Sequence, residues 1–319
     1  MASILPLLRI GTRGSPLALA QAQEVRSRLI AAHPDLTPEG AVEIRVIRTT
    51  GDAVTDRALS EIGGKGLFTK EIELALSAGE IDLAVHSMKD VPTQLPDGLV
   101  IDCLLPREDP RDALFTRHGE SLRELRPGAV VGTASLRRQA QILMLRPDLV
   151  VVPFRGNVET RLHKLKDGIV EATLLAQAGL NRLKLNVTPS EILPIDIMLP
   201  AVAQGAIGIE CRADDDRAAF WLAPLNDLAT ARRVAAERAL LAALDGSCKT
   251  PIAAFAALEG ITLTLRALIV RPDGTQHFTA TRSGNWDDAE SMGQEIGAEL
   301  RRRAGPGFFD LPMPAGPSR

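Results

Sequence analysis

The chain has 319 residues, 45% of them hydrophobic and 24% charged, with a net charge of −3. That size allows two or three domains with sizeable cores, and the slight acidity excludes a nucleic-acid binder acting through overall charge. Cys103, Cys211 and Cys248 form neither a disulfide framework nor a zinc spacing, and no apolar run approaches membrane-spanning length.

Met1 to Ile10 has no basic leader and no small-residue cleavage site, so the expected location is a reducing cytoplasm. Leu7 to Ile10 predicts a short strand, and Ser15-Pro16 predicts the cap and first turn of a helix reaching about Ala32. Val42 to Arg48 reads as a second strand. Gly63, Gly64 and Gly66 precede a helix expected from Leu67 to Ser77, ended by Gly79. Ile81, Leu83 and Val85 alternate as a strand that delivers Lys89 and Asp90 at its end, where Pro92 stops pairing. This is βαβ punctuation, and ligands gather beyond the carboxyl ends of such strands.

A second unit starts near Asp112. It offers strands at Ala129 to Thr133, Leu149 to Phe154 and Ile169 to Leu175, with Ser135 and Asn157 as helix caps. Leu199 to Cys211 reads as one strand, in which Gly205 and Gly208 allow close backbone approach. A third unit begins near Asn226 with a helix from Ala229 to Leu244. Strands at Ile252 to Leu258, Ile261 to Val270 and Gln276 to Thr281 follow, then a helix from Asp287 to Arg303 and a Gly/Pro-rich tail.

Only seven of the 37 basic residues are lysines, a bias that genome composition explains; where the arginines fall is more informative. Arg13-Gly-Ser15, Ser135-Leu-Arg137-Arg138, Arg155-Gly-Asn157 with Arg161, and Arg182 after Gly179 each put arginine beside a strand end and a small or capping residue. Helix N-termini and guanidinium forks both suit carboxylates or phosphates, so four such segments point to a polyanionic ligand. Gly63-Gly-Lys-Gly66 lacks the phosphate-loop spacing and reads instead as a lid containing Lys65, with a plain glycine turn as the simpler alternative. Cys248 stands in a tight loop beside Lys249, which suits a thiolate, with an unremarkable loop thiol as the simpler alternative, while Cys103 and Cys211 sit in apolar strand contexts. His86 has no partner at ligand spacing and reads as a hydrogen-bonded core residue rather than a metal ligand; no metal is expected.

Taken together, Arg9-Ile-Gly-Thr-Arg-Gly-Ser-Pro16, Gly63-Gly-Lys-Gly-Leu-Phe68, Val85-His-Ser-Met-Lys-Asp-Val-Pro92, Gly132-Thr-Ala-Ser-Leu-Arg-Arg-Gln139, Arg155-Gly-Asn-Val158, Leu199-Pro-Ala-Val-Ala-Gln-Gly205 and Gly208-Ile-Glu-Cys-Arg212 resemble the porphobilinogen deaminase (hydroxymethylbilane synthase) family. The resemblance runs from Leu8 to at least Gly274. It implies an α/β fold with two periplasmic-binding-protein-like lobes of mixed, mostly parallel sheets, and a C-terminal α+β domain. The implied boundaries are 1–105 with 206–225, then 106–205, then 226–319.

The implied activity joins four porphobilinogen molecules head to tail with loss of ammonia, on a dipyrromethane cofactor held by a thioether at Cys248, and then releases hydroxymethylbilane by hydrolysis. Asp90 matches the catalytic aspartate, placed to stabilise the pyrrole N–H and a cationic azafulvene. Lys89, Ser135, Arg137, Arg138, Arg161 and Arg182 match positions that hold cofactor side chains. Arg13, Ser15 and Arg155 match positions near incoming substrate, and Lys65 and Phe68 belong to the lid. The resemblance further implies a monomer with porphobilinogen as its small-molecule partner, and no nucleic-acid or membrane partner. Ala203 departs from the glycine usual before Gln-Gly, Gln177 from the common valine, and Gly-Ser-Cys from Gly-Gly-Cys. The rival readings are a non-catalytic two-lobe binder of an anionic solute and a phosphate-ester enzyme. The first is opposed by Asp90 and Cys248 in their motifs, the second by the lack of a nucleotide motif or metal cluster.

Overall fold

The computed structural model describes residues 6–53, 66–246 and 250–309. They separate into two compact units: one draws on 6–53, 66–108 and 206–231, the other on 109–205, 232–246 and 250–309.

The first unit opens with β1 (Leu8–Thr12), α1 (Pro16–Ala32), β2 (Val42–Val46), the short α2 (Thr50–Ala53), α3 (Lys70–Ser77), β3 (Leu83–Ser87) and β4 (Leu99–Leu104). In the second unit follow β5 (Asp112–Thr116), β6 (Val130–Gly132), α4 (Leu136–Leu145), β7 (Val150–Val152), α5 (Val158–Lys166), β8 (Ala172–Ala176), α6 (Gln177–Leu183) and β9 (Glu191–Leu193). The chain then returns to the first unit as β10 (Ile207–Arg212) and α7 (Asp216–Leu222), and α8 (Leu228–Ala243) begins there. It closes with β11 (Ile252–Glu259), β12 (Thr262–Val270), β13 (His277–Asn285) and α9 (Ala289–Ala304).

The two five-stranded sheets have one design. Their orders are β2-β1-β3-β10-β4 and β7-β6-β8-β5-β9. Three parallel strands joined through helices are followed in each by an antiparallel strand, β10 or β5, and then an edge strand. In the second unit that strand is the first after the chain enters, and in the first unit it is the first after the chain returns. Leu8, Ile10, Leu83, Val85, Ile207 and Ile209 pack with Ala22, Val25 and Leu29 of α1, while Ala84 on the opposite face packs with Ile72 and Leu76 of α3, so β3 is apolar on both faces. The third sheet, β11-β12-β13, is antiparallel. Against it lies α9, which approaches α8 so closely that a Cβ on Gly293 would stand 2.3 Å from the Ala236 carbonyl.

Several sequence expectations change, and one strand, β5, appears where none was expected. The strand expected from Leu199 starts only at Ile207, because Ala203 (φ 58°) and Gly205 (φ 90°) are left-handed and make Ala201–Gly205 a turn. The helix expected from Leu67 starts at Lys70, after a turn closed on the Gly66 carbonyl. The strand β13 runs on to Asn285, with polar and part-buried positions alternating along it, so its apolar signal is weak. Finally, β5 carries a charged residue where a strand core was not expected. Asp112 is fully buried between Ala176 and Leu193 of the flanking strands. The tail beyond 309 lies outside the described residues.

Candidate functional site

In the first unit β3 ends in a tight 3-10 turn, Met88–Asp90, that presents Lys89 and Asp90 half-buried. The turn is pinned from both sides: Met88 N donates to the Ala206 carbonyl (3.1 Å), and Val91 N donates to the Met88 carbonyl (3.2 Å). Gly208 leaves the hollow for Met88, since a Cβ there would fall 2.1 Å from the Met88 Sδ. A Cβ there would force the Met88 side chain to move.

Arg13 follows β1 in the same unit and stacks on Phe68, its guanidinium carbon 4.1 Å from the ring centre. Ser15 is the N-cap of α1, its hydroxyl accepting from Ala18 N at 3.2 Å. The strand-end, cap and arginine pattern expected of Arg13-Gly-Ser15 is therefore present.

In the second unit Ser135 caps α4 by accepting from Arg138 N (3.4 Å), and Asn157 caps α5 by accepting from Thr160 N (2.8 Å). Capping turns Arg137 and Arg138 inward onto Asp112. Arg138 donates from Nη2 (2.7 Å) and Nε (3.1 Å) to Asp112 Oδ1, and from Nη1 to the Leu174 carbonyl (2.8 Å). Arg137 Nη1 is 2.8 Å from Asp112 Oδ2 in an ion pair without hydrogen-bond geometry, and donates to the Leu199 carbonyl at 2.8 Å. Asp112 Oδ2 and Arg137 Nε thus remain buried without a hydrogen bond.

The electrostatics of this cluster are lopsided. Burial acts to raise Asp112, but the charges of Arg137 and Arg138 overcome it and hold the carboxyl far below the usual carboxylate range. Arg161 stands on α5, its Nε bonded to the Gly156 carbonyl (2.9 Å). Burial first, then the like charges of Arg138 and Arg155, pull its guanidinium down to about 10. Asp112 thus pairs with Arg137 and Arg138, and Arg161 feels the like charges of Arg138 and Arg155, so the cluster suits a polyanion.

Arg182 departs from the expected pattern. It lies in the last turn of α6 rather than at a helix start, and donates to the Gly205 carbonyl at 2.9 Å. That carbonyl belongs to the Ala201–Gly205 turn, whose Gln204 donates to Asp112 Oδ1 (3.1 Å) and to the Pro110 carbonyl (2.6 Å). The buried Glu237 of α8 accepts from Ala203 N (2.6 Å) and Ala256 N (2.8 Å). Sequence reasoning missed Asp112, Gln204 and Glu237 as members of this network. Gln204 lay inside a quoted motif; the two acids carried no local signal. Lys65 and Cys248 lie outside the described residues. Among the described residues no group of three or more metal-ligating side chains occurs, and no helix is long and apolar enough to cross a membrane.

Two family models match the chain: the dipyromethane cofactor binding domain of porphobilinogen deaminase over residues 8–219, and the porphobilinogen deaminase C-terminal domain over 231–302. The porphobilinogen deaminase of Paracoccus denitrificans is 59% identical over 304 residues, covering 95% of this chain and 96% of its own length. The chloroplastic porphobilinogen deaminase of Oryza sativa subsp. japonica is 57% identical over 307 residues, covering 95% of this chain and 86% of its own. The periplasmic aliphatic sulphonate binding protein SsuA from Escherichia coli aligns at a TM-score of 0.40 and 15% identity, over 74% of this chain and 69% of that one.

Proposed function

The chain belongs to the porphobilinogen deaminase family, and from that premise we propose that it condenses four porphobilinogen molecules head to tail, with loss of ammonia, and releases hydroxymethylbilane for tetrapyrrole biosynthesis. The observation that carries this reading is the match of both family models across nearly the whole chain. The fit of a dipyrromethane rests on chemistry in the second unit. Arg137 and Arg138 share one buried carboxylate, Arg161 lies within reach of the charges of Arg138 and Arg155, and Arg137 Nε is buried without a hydrogen bond. Such a set accepts the acetate and propionate groups of linked pyrroles.

When bound, the cofactor supplies a nucleophilic pyrrole carbon as primer. In this reading Cys248 anchors it as a thioether, a role suited to a soft thiolate. Lys89, Ser135, Arg137, Arg138, Arg161 and Arg182 bind its carboxylates, and Arg13, Ser15 and Arg155 bind those of the incoming substrate. Lys65 and Phe68 cover the reacting groups. Asp90 holds the pyrrole N–H and opposes the positive charge that develops as ammonia departs, which is worth most in a site that excludes water. The same reading divides the chain into three domains, at 1–105 with 206–225, 106–205 and 226–319, and takes it as a cytoplasmic monomer.

Intact mass of the denatured protein tests the proposal, alongside Cys248→Ala and after addition of porphobilinogen. The expected result is an adduct of two linked pyrroles, absent from the variant, together with uroporphyrin-type products from the wild type. A wild-type chain that stays bare and forms no such product would overturn it.

A further inference from the structure

Helix α8 buries Val234, Ala236 and Leu240, and among them it buries one carboxylate, Glu237. A charge in such company is costly unless its oxygens are hydrogen-bonded. Glu237 meets that condition with two backbone N–H groups far apart in the chain of the second unit. Its Oε2 accepts from Ala203 N (2.6 Å) and its Oε1 from Ala256 N (2.8 Å). Ala203 is the left-handed residue of the Ala201–Gly205 turn, and Ala256 lies on β11, the edge strand of its sheet. Ala254 and Ala256 both turn their N–H groups away from β12, as alternate residues of an antiparallel strand do. Ala254 N donates to the Pro200 carbonyl (3.1 Å), so the segment 199–205 is strapped to the open edge of β11. Glu237 supplies the acceptor for Ala256 and joins it to the strap at Ala203.

The same seven residues hold the partners of three arginines. The Leu199 carbonyl accepts from Arg137 Nη1 (2.8 Å) and from Gln141 Nε2 (3.0 Å), while Leu199 N donates to Gln141 Oε1 (2.8 Å). Gln204 donates to Asp112 Oδ1 (3.1 Å), which accepts from Arg138 Nη2 (2.7 Å). The Gly205 carbonyl accepts from Arg182 Nη2 (2.9 Å). Arg137 and Arg182 are thus tied to the two ends of the strap, and Arg138 to Gln204 through Asp112.

We propose that Glu237 is a positioning residue: it fastens the 199–205 strap to β11 and so sets where Arg137, Arg138 and Arg182 present their donors to the carboxylates of the cofactor. The proposal rests on the reading of those arginines as cofactor-binding. Its route is short, since Ala203 adjoins Gln204 in the chain. In Glu237→Gln one of the two backbone N–H groups faces an amide N–H in place of an acceptor, and the strap loses an anchor beside Gln204. Arg182 and Asp112 then follow the Gly205 carbonyl and Gln204. Incoming substrate is read as held by Arg13, Ser15 and Arg155, so the loss falls on kcat and leaves KM for porphobilinogen in place.

The test measures kcat, KM and thermal midpoint for holoenzyme of wild type, Glu237→Gln, Gln204→Met and the double variant, with the two-pyrrole adduct of each quantified by intact mass. Leu240→Ala, which empties a buried apolar position one turn along α8, is the stability control. Glu237→Gln is expected to lose kcat about tenfold at unchanged KM, the cost of misplaced reacting groups. Hydrogen exchange at 199–205 and 252–258 should quicken while β8 keeps its protection. The double variant should lose no more kcat than the worse single one, because both cut the same route. Leu240→Ala should lower the thermal midpoint and keep kcat. Glu237→Asp, which keeps the charge but is a methylene too short to span both N–H groups, carries the same expectation should Glu237→Gln fail to fold. Wild-type kcat or wild-type exchange at 199–205 in the Glu237 variant overturns this proposal alone. So do additive losses in the double variant, or an equal kcat loss in Leu240→Ala. A wild type that forms no hydroxymethylbilane overturns the proposed function and the positioning role with it.

Discussion

At the scale of single residues, the central fact of the second unit is that Asp112 holds two guanidinium groups in a space with almost no water. A buried ion pair adds little net stability against an apolar replacement, because desolvation offsets attraction, but removing one partner leaves an uncompensated buried charge. Asp112→Asn would leave Arg137 and Arg138 facing each other. The expected cost is about 3–5 kcal/mol, read as a lower urea midpoint with an unchanged slope. Retention of the wild-type midpoint would show that those arginines reach solvent. The sequence made Arg137 and Arg138 legible as anion binders through the Ser135 cap. It did not show that much of their donor capacity is spent on Asp112 and on the Leu174 and Leu199 carbonyls, since those partners lie 26 to 62 residues away.

At the scale of elements, local signals were reliable where one residue decides a boundary. Ser15, Ser135 and Asn157 cap the helices expected of them, because a side-chain acceptor three residues from an orphan N–H is a purely local arrangement. The Ala201–Gly205 turn was misread as strand because its apolar residues face other elements and not a sheet pleat. Ala203, with φ 58°, occupies the left-handed region that disfavours a Cβ by roughly 1–2 kcal/mol, and the Glu237 carboxylate holds its N–H there. Ala203→Gly is accordingly expected to be tolerated, within about 1 kcal/mol of wild type, because relief of strain offsets the greater entropy of the unfolded glycine chain. Ala203→Val should lose at least about 2 kcal/mol, since a β-branched residue fits that region poorly. Thermal unfolding of both variants checks the pair, and equal stabilities would show that the turn relaxes.

At the scale of the whole molecule, buried and half-buried ion pairs set how stability varies with pH. Asp82, Asp109 and Asp112 all have carboxyls held below their ordinary values: burial opposes this, but arginine partners outweigh it in each. A depressed folded value means that the stability they lend is full above the unfolded value of about 3.9 and is lost as pH falls through the folded values. Glu73 has the opposite sign: its raised value lends stability below the unfolded value of about 4.3, and that is lost as pH rises. Denaturant midpoints should therefore fall below about pH 4 in wild type, and Glu73→Gln should remove only the decline that begins as pH rises past the unfolded glutamate value of about 4.3. An acid limb that vanishes in high salt would assign it to exposed pairs, since the fully buried Asp112 is little screened.

What the sequence alone determined were the features written within a few residues: the βαβ rhythm, the caps, the strand that ends in Lys89 and Asp90, and motifs specific enough to indicate the family and its chemistry. What only the tertiary structure decided were pairings over long chain separations. His86 meets Glu210 across 124 residues, Asp112 meets Arg138 across 26, and Glu237 closes on Ala203 across 34. The repeated sheet order of the two units was equally invisible, because strand order depends on which strands pair after the chain leaves and returns. Periodicity and capping are properties of adjacent residues. Charge compensation in a core is a property of whatever the fold brings within hydrogen-bond reach, and sequence neighbours carry no record of it.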